Sequence, residues 1–155
     1  MSFQISGLSV APFAHLFGLS DEELAKRGIV RHTADKFPGF PCRVSMRDAE
    51  PGETLLLLNY EHLPVAGPYR SNYAIYVREF AEEARVAVNE VPEVLRRRLL
   101  SLRAFDGNGT LLDADVADGR EIDGIINRMF DRRNVEFIHL HNAKPGCFAA
   151  QVNRA

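Results

Sequence analysis

The sequence predicts an α+β fold: a single domain on a mostly antiparallel mixed sheet, with about three short helices. Three observations predict it. Short apolar and β-branched runs alternate with the turn signals Glu50-Pro-Gly-Glu53, Asp106-Gly-Asn-Gly109 and Ala143-Lys-Pro-Gly146. Tight turns join antiparallel neighbours, whereas a parallel crossover needs about a dozen residues or more. Helix-start signals are few, and each opens only a short periodic segment. The chain has 155 residues, enough for one core that needs no disulfide or metal staple.

Taken in order, Phe3 to Leu8 reads as a first strand. Ser20-Asp-Glu-Glu23 reads as a capping box that opens a short helix closed by Gly28. Ile29 to Ala34 is a strand. Phe37-Pro-Gly-Phe-Pro41 is a turn that proline bars from helix, and Cys42 to Met46 is a further short strand. After the Glu50–Glu53 turn, Thr54 to Tyr60 carries four consecutive leucines, a strand buried on both faces. Leu63 to Pro68 is a loop and Tyr73 to Val77 a strand. Ala84 to Val88 fits a strand or a helix end. Pro92 suits a first helical position, giving a short helix to Arg98. Leu100 to Phe105 and Thr110 to Val116 form a hairpin. Asp118-Gly-Arg-Glu121 reads as a second capping box, opening a helix to about Phe130 with Ile122, Ile125, Ile126 and Met129 on one face. Val135 to His141 and Cys147 to Asn153 are the last two strands.

Composition narrows the function classes. Nineteen Lys and Arg against 21 Asp and Glu leave a net charge of −2, so no global field draws the chain to nucleic acid or an anionic membrane. The run Arg96-Arg97-Arg98 reads as a solvated helix face. Cys42 and Cys147 form no framework and no zinc spacing. The N-terminus lacks the pattern of a secretory signal, and no apolar run approaches about 18 residues. The expectation is a cytoplasmic protein with reduced cysteines.

Several motifs fail. Asp106-Gly-Asn-Gly-Thr110 resembles the start of a calcium loop, but the last of its roughly twelve positions falls on Ala117, where a glutamate is required. No P-loop, dinucleotide fingerprint, GxSxG or HExxH occurs. The cofactor stays open.

His139-Leu-His141 is the foremost candidate. Alternate residues of a strand share a face, so the two imidazoles are co-facial. Such a pair begins a metal site that here lacks a clear third ligand, supplies a base and an electrophile, or simply hydrogen-bonds. Cys147 is a candidate nucleophile, with a buried inert thiol as the alternative. Register decides its relation to the histidines. If Ala143 to Gly146 is a four-residue loop, Asn142 faces Cys147, His141 faces Phe148, and the cysteine lies on the other side of the sheet. Arg43 and Arg70 are candidate ligands for an anion, or else brace carboxylates such as Glu61 and Glu79. Asn142 and His62 complete the ligand-binding candidates. Asp113 and Asp115 read as an exposed, co-facial pair.

Pro38-Gly-Phe-Pro-Cys-Arg43, Leu57-Leu-Asn-Tyr60 with His62, Pro68-Tyr-Arg70, Ala74-Ile-Tyr-Val-Arg-Glu79, Leu102-Arg-Ala-Phe-Asp106 and His141-Asn-Ala-Lys-Pro-Gly-Cys147 together resemble the bacterial family known as domain of unknown function 1203. The likeness runs from the first strand to Val152. It implies a small stand-alone bacterial protein and implies neither an activity nor catalytic residues.

Two classes of function follow. In one, His139, His141, Asn142, Arg43, Arg70 and His62 gather around a small anionic molecule, in a binding protein or an enzyme. In the other, the loop aromatics Phe37, Phe40, Tyr69 and Tyr73 anchor a non-catalytic interaction module or a homodimer.

Overall fold

The structure is a computed structural model that describes residues 1–155. In chain order it contains β1 (Phe3–Ser6), a 3-10 turn (Ala14–Leu16), α1 (Asp21–Lys26), β2 (Val30–Thr33), β3 (Pro41–Cys42), β4 (Arg47–Asp48), β5 (Thr54–Leu63), β6 (Ser71–Arg78), α2 (Glu93–Arg96), β7 (Leu99–Phe105), β8 (Leu111–Asp118), α3 (Ile122–Phe130), β9 (Phe137–Asn142) and β10 (Phe148–Arg154). The fold is α+β with antiparallel sheets, as the turn chemistry predicts. The chain groups into two compact units, one of Met1–Ser6, Glu61–Asn72 and Arg85–Ala155, the other of Gly7–Tyr60 and Tyr73–Ala84.

The second unit holds α1, β2 to β4 and most of β5 and β6. The hydroxyl of Ser20 accepts the Glu23 N–H at 3.1 Å, and Gly28 sits at φ 70°, so the first capping reading holds at both ends. Cys42 to Met46 departs from expectation. It is the turn between β3 and β4, because the Met46 N–H returns to the Cys42 carbonyl (3.1 Å) and the Ser45 N–H to the Cys42 thiol (3.4 Å). This turn presses on Gly7, where a Cβ would lie 2.7 Å from the Arg43 carbonyl oxygen. Arg31 reaches Glu79 (2.7 Å) and also Asp21, and Glu79 is buried.

The first unit holds the five-stranded sheet, in the order β1-β10-β9-β7-β8. The β7–β8 turn is organised by Asp106, whose carboxylate accepts N–H groups from Asn108 and Thr110, both at 2.9 Å. Pro92 caps α2 instead of opening it, since its ψ of 149° is extended. The second capping box does not form. Asp118 ends β8 and its carboxylate takes the Arg120 N–H (3.0 Å) and guanidinium (2.9 Å), so α3 starts after Glu121 without a side-chain cap. Gly119 is needed for close approach, because a Cβ there would lie 1.9 Å from the Leu95 carbonyl oxygen. Residues 84–88 form neither strand nor helix. Instead Gln4 Nε2 donates to the Val86 carbonyl (2.5 Å), and Asn89 exchanges hydrogen bonds with Phe3 (both 2.9 Å), covering the outer edge of β1. At the opposite edge, Asp113 and Asp115 take the N–H groups of Ala114 (2.9 Å) and Val116 (2.8 Å) on β8.

The two faces of this sheet differ. Register puts Leu100, Leu102, Ala104, Ile138, Leu140, Val152 and Ile5 on one face, each at most 1% exposed. Asp113 and Asp115 share that face across from Ala104 and Leu102, and Arg128 of α3 reaches them at 3.7 and 2.7 Å. The ion pairs thus show α3 lying over the apolar face, with Ile122, Ile126, Met129 and Phe130 buried beneath it. The other face carries Ser101, Arg103, Phe105, Phe137, His139, His141, Phe148 and Gln151.

Candidate functional site

The polar face gathers three of the five histidines. His139 and His141 project from β9 at alternate positions, as the strand pattern predicts, and are 2% and 1% exposed. His62 comes from β5, which continues past Tyr60 to Leu63. Its ring centroid lies 4.9 Å from that of His141 and 6.0 Å from that of His139, and its ring stacks on Phe148 at 5.5 Å. Phe105, Phe137 and Phe148 wall the histidines, and Tyr69 meets Phe105 edge-on at 6.2 Å. The adjacent Glu61 bonds outward to Arg70, in keeping with the opposite facing of neighbours on a strand.

Each buried imidazole is oriented by one acceptor. The Gln151 amide donates to Asn153 Oδ1 at 3.0 Å, so its Oε1 faces His139 Nε2 at 3.2 Å. An amide oxygen only accepts, which puts the His139 proton on Nε2 and leaves Nδ1 with a lone pair. That Nδ1 is buried and has no hydrogen-bond partner. His141 Nδ1 lies 3.0 Å from the Gly146 carbonyl oxygen. By the same reasoning His141 carries its proton on Nδ1 and a lone pair on Nε2. Burial lowers the His139 pKa to about 4, with a smaller push from His62 and Arg103 against the Gln151 hydrogen bond. Burial, Arg103, His62 and His139 lower His141 to about 3 against the Gly146 contact. Both rings are neutral at physiological pH. No three His, Cys, Asp or Glu side chains converge as a metal-binding group.

The cation of this face is Arg103, which stands opposite His139 on β7. It is half-buried, its Nε donates to the Ser101 hydroxyl at 3.2 Å, and burial holds its guanidinium below the ordinary arginine range. It forms no ion pair. Neither composition nor spacing signals it: a single arginine in an alternating strand becomes visible only once its cross-strand neighbour is known to be a buried histidine.

The other expected site residues fall elsewhere. Arg70 is exposed and bound to Glu61 at 3.0 Å, the bracing role that was one of its two readings. Arg43 is buried in the second unit, where its guanidinium donates to the Pro41 carbonyl at 2.7 Å. The carboxylate of Glu79 is braced by Arg31. The β9–β10 loop has the four-residue register: His141 pairs with Phe148, and the Asn142 N–H donates to the Cys147 carbonyl at 2.9 Å. Cys147 and Asn142 therefore face away from the histidines and meet each other, with Asn142 Nδ2 at 3.5 Å from the thiol. Asn142 Oδ1 is buried without a partner. Of the loop aromatics, Phe40 packs on the cluster of Ala34, Ala49 and Leu55, while Phe37, Tyr69 and Tyr73 are exposed.

Fold and site together define an α+β protein whose antiparallel sheet buries a face of neutral histidines around one unpaired arginine. The chain belongs to the family described as protein of unknown function (DUF1203), whose model matches residues 39–154. The match takes in all of the histidines and arginines that build this face. No curated protein and no solved structure matches the chain. No helix is long and apolar enough to cross a membrane.

Proposed function

We propose that the polar face of the five-stranded sheet binds a small anionic ligand. The observation that carries this reading is Arg103, a half-buried cation with no carboxylate partner beside histidines that are held neutral. A charge withdrawn from water and left unpaired costs stability, and folds rarely keep one without a use. The guanidinium presents a planar fork suited to a carboxylate or phosphate. Lowered dielectric around it strengthens the attraction of an arriving anion. The reading keeps the anionic ligand expected from the sequence and moves the charge that holds it from Arg43 and Arg70 to Arg103. His62, His139 and His141 remain in the site, while Asn142 and Cys147 do not enter it.

Thermal unfolding with phosphate, sulfate, acetate or malate, against chloride at matched ionic strength, tests the proposal. At least one of the four is expected to raise the midpoint saturably, by the equivalent of about 2.7 kcal/mol at a hundred times its Kd. Arg103→Gln is expected to abolish that response. A wild type indifferent to all four, or a variant that responds equally, overturns the reading.

A further inference from the structure

We infer that the preferred anion brings a hydrogen-bond donor of its own: an oxyanion that keeps an acidic O–H, such as partly protonated phosphate, over a fully ionised one such as sulfate. This rests on the anion-binding reading above and specifies the ligand class of the same site.

What the buried histidines can offer decides which anion fits. Gln151 and the Gly146 carbonyl each take up the one N–H of a neutral ring, His139 through Nε2 and His141 through Nδ1. What remains on each ring is a lone pair, on His139 Nδ1 and on His141 Nε2. The first of these has no partner in a side chain that is 2% exposed. A buried acceptor left unsatisfied is costly, so the site is completed by a donor. Arg103 sets the opposite demand, because its guanidinium carries only donors. One group that accepts from Arg103 and donates to an imidazole meets both demands.

Sulfate near neutral pH has only acceptor oxygens. It would pair with Arg103 and set its own lone pairs against those of the rings, which low dielectric makes repulsive. Phosphate under the same conditions keeps at least one P–OH. It accepts from Arg103 through its ionised oxygens and donates through the protonated one, with no proton transferred and both histidines staying neutral. The size and tetrahedral shape of the two anions are alike, so their difference isolates the hydrogen.

Calorimetric titration of the full chain with inorganic phosphate and with sulfate, near neutral pH, reads the inference directly. Phosphate is expected to bind roughly tenfold to a hundredfold more tightly, the factor that follows from leaving one buried acceptor unsatisfied. His139→Phe removes one lone pair at similar volume and should narrow the difference between the two anions by about tenfold, weakening phosphate and relieving the repulsion of sulfate. His141→Phe supplies the same comparison from the other ring if the first variant does not fold. Methyl phosphate, which carries no hydroxyl besides its P–OH, separates free phosphate from a phosphorylated compound. Its monoanion is the form with an O–H, so its affinity should fall about tenfold per pH unit above about pH 6. Monoester binding that does not fall with pH contradicts the inference. Sulfate binding as tightly as phosphate overturns the inference and leaves the anion site standing. Binding of neither ion overturns the inference, and the reading beneath it falls with it only when acetate and malate also leave the protein unchanged.

Discussion

The two faces of the five-stranded sheet are buried by opposite means. On the α3 face, Leu102, Leu140 and Ile138 are at most 1% exposed and carry no polar side-chain atom, and the one buried polar atom of its strands without a partner is Oδ1 of Asn142, at the end of β9. The acidic pair at its rim, Asp113 and Asp115, is matched by Arg128. On the other face, His139 and His141 are buried almost as fully, yet one ring nitrogen lacks a partner and Arg103 lacks a counter-charge. Equal burial with unequal satisfaction teaches where the chain gives up stability. The apolar face holds the unit together, and the polar face keeps bonding capacity in reserve.

Substitutions on each face should therefore have different consequences. The largest effect is expected from Leu102→Ala on the apolar face, a loss of about 2–5 kcal/mol in urea unfolding. An equal loss from a volume-matched change on the polar face would erase the contrast.

Acid comes next. The unfolded chain titrates its histidines near 6.5, whereas the folded one holds His139 near 4 and His141 near 3. Below pH 6.5 the unfolded state takes up protons that the folded state refuses, so stability falls as pH drops. The contribution is complete above about 6.5 and exhausted below about 3. Its slope is at most about 1.4 kcal/mol per pH unit for each histidine between 6.5 and 4. His139→Phe should halve that slope, which unfolding measured across this range would show.

Smaller again is the effect of His139→Phe at neutral pH, expected within about 1 kcal/mol of wild type, because an apolar ring of similar volume replaces a buried group that was only half satisfied. The smallest is Asp115→Asn, which removes one exposed pair with Arg128 and should cost less than about 1 kcal/mol in the same assay.

Most of the fold was legible in the sequence because its signals are local. Ser20 and Gly28 bound α1, Asp106 shapes its hairpin, and the Ala143–Gly146 turn fixes the register that sends Cys147 away from His141. The failures are also physical. Asp118 has the spacing of a cap, but Arg120 competes for its carboxylate and wins. Cys42 to Met46 looks β-like by residue type, yet Cys42 gathers the following N–H groups into a turn. Co-facial His139 and His141 followed from alternation alone. His62 was named without a reason to meet them, and Arg103 not at all, because both contacts depend on pairings between residues distant in sequence. Arg43 and Arg70 drew notice from their place beside turns, where each meets a local partner.

The central claim, that Arg103 is kept unpaired for an anion, is tested most directly by titrating inorganic phosphate into wild type and Arg103→Gln in a calorimeter. Saturable one-site binding to the wild type and none to the variant is expected, with the variant unfolding no more easily than the wild type in the absence of phosphate, because it loses an unpaired, half-buried charge. Binding by both proteins alike, or by neither, would contradict the account.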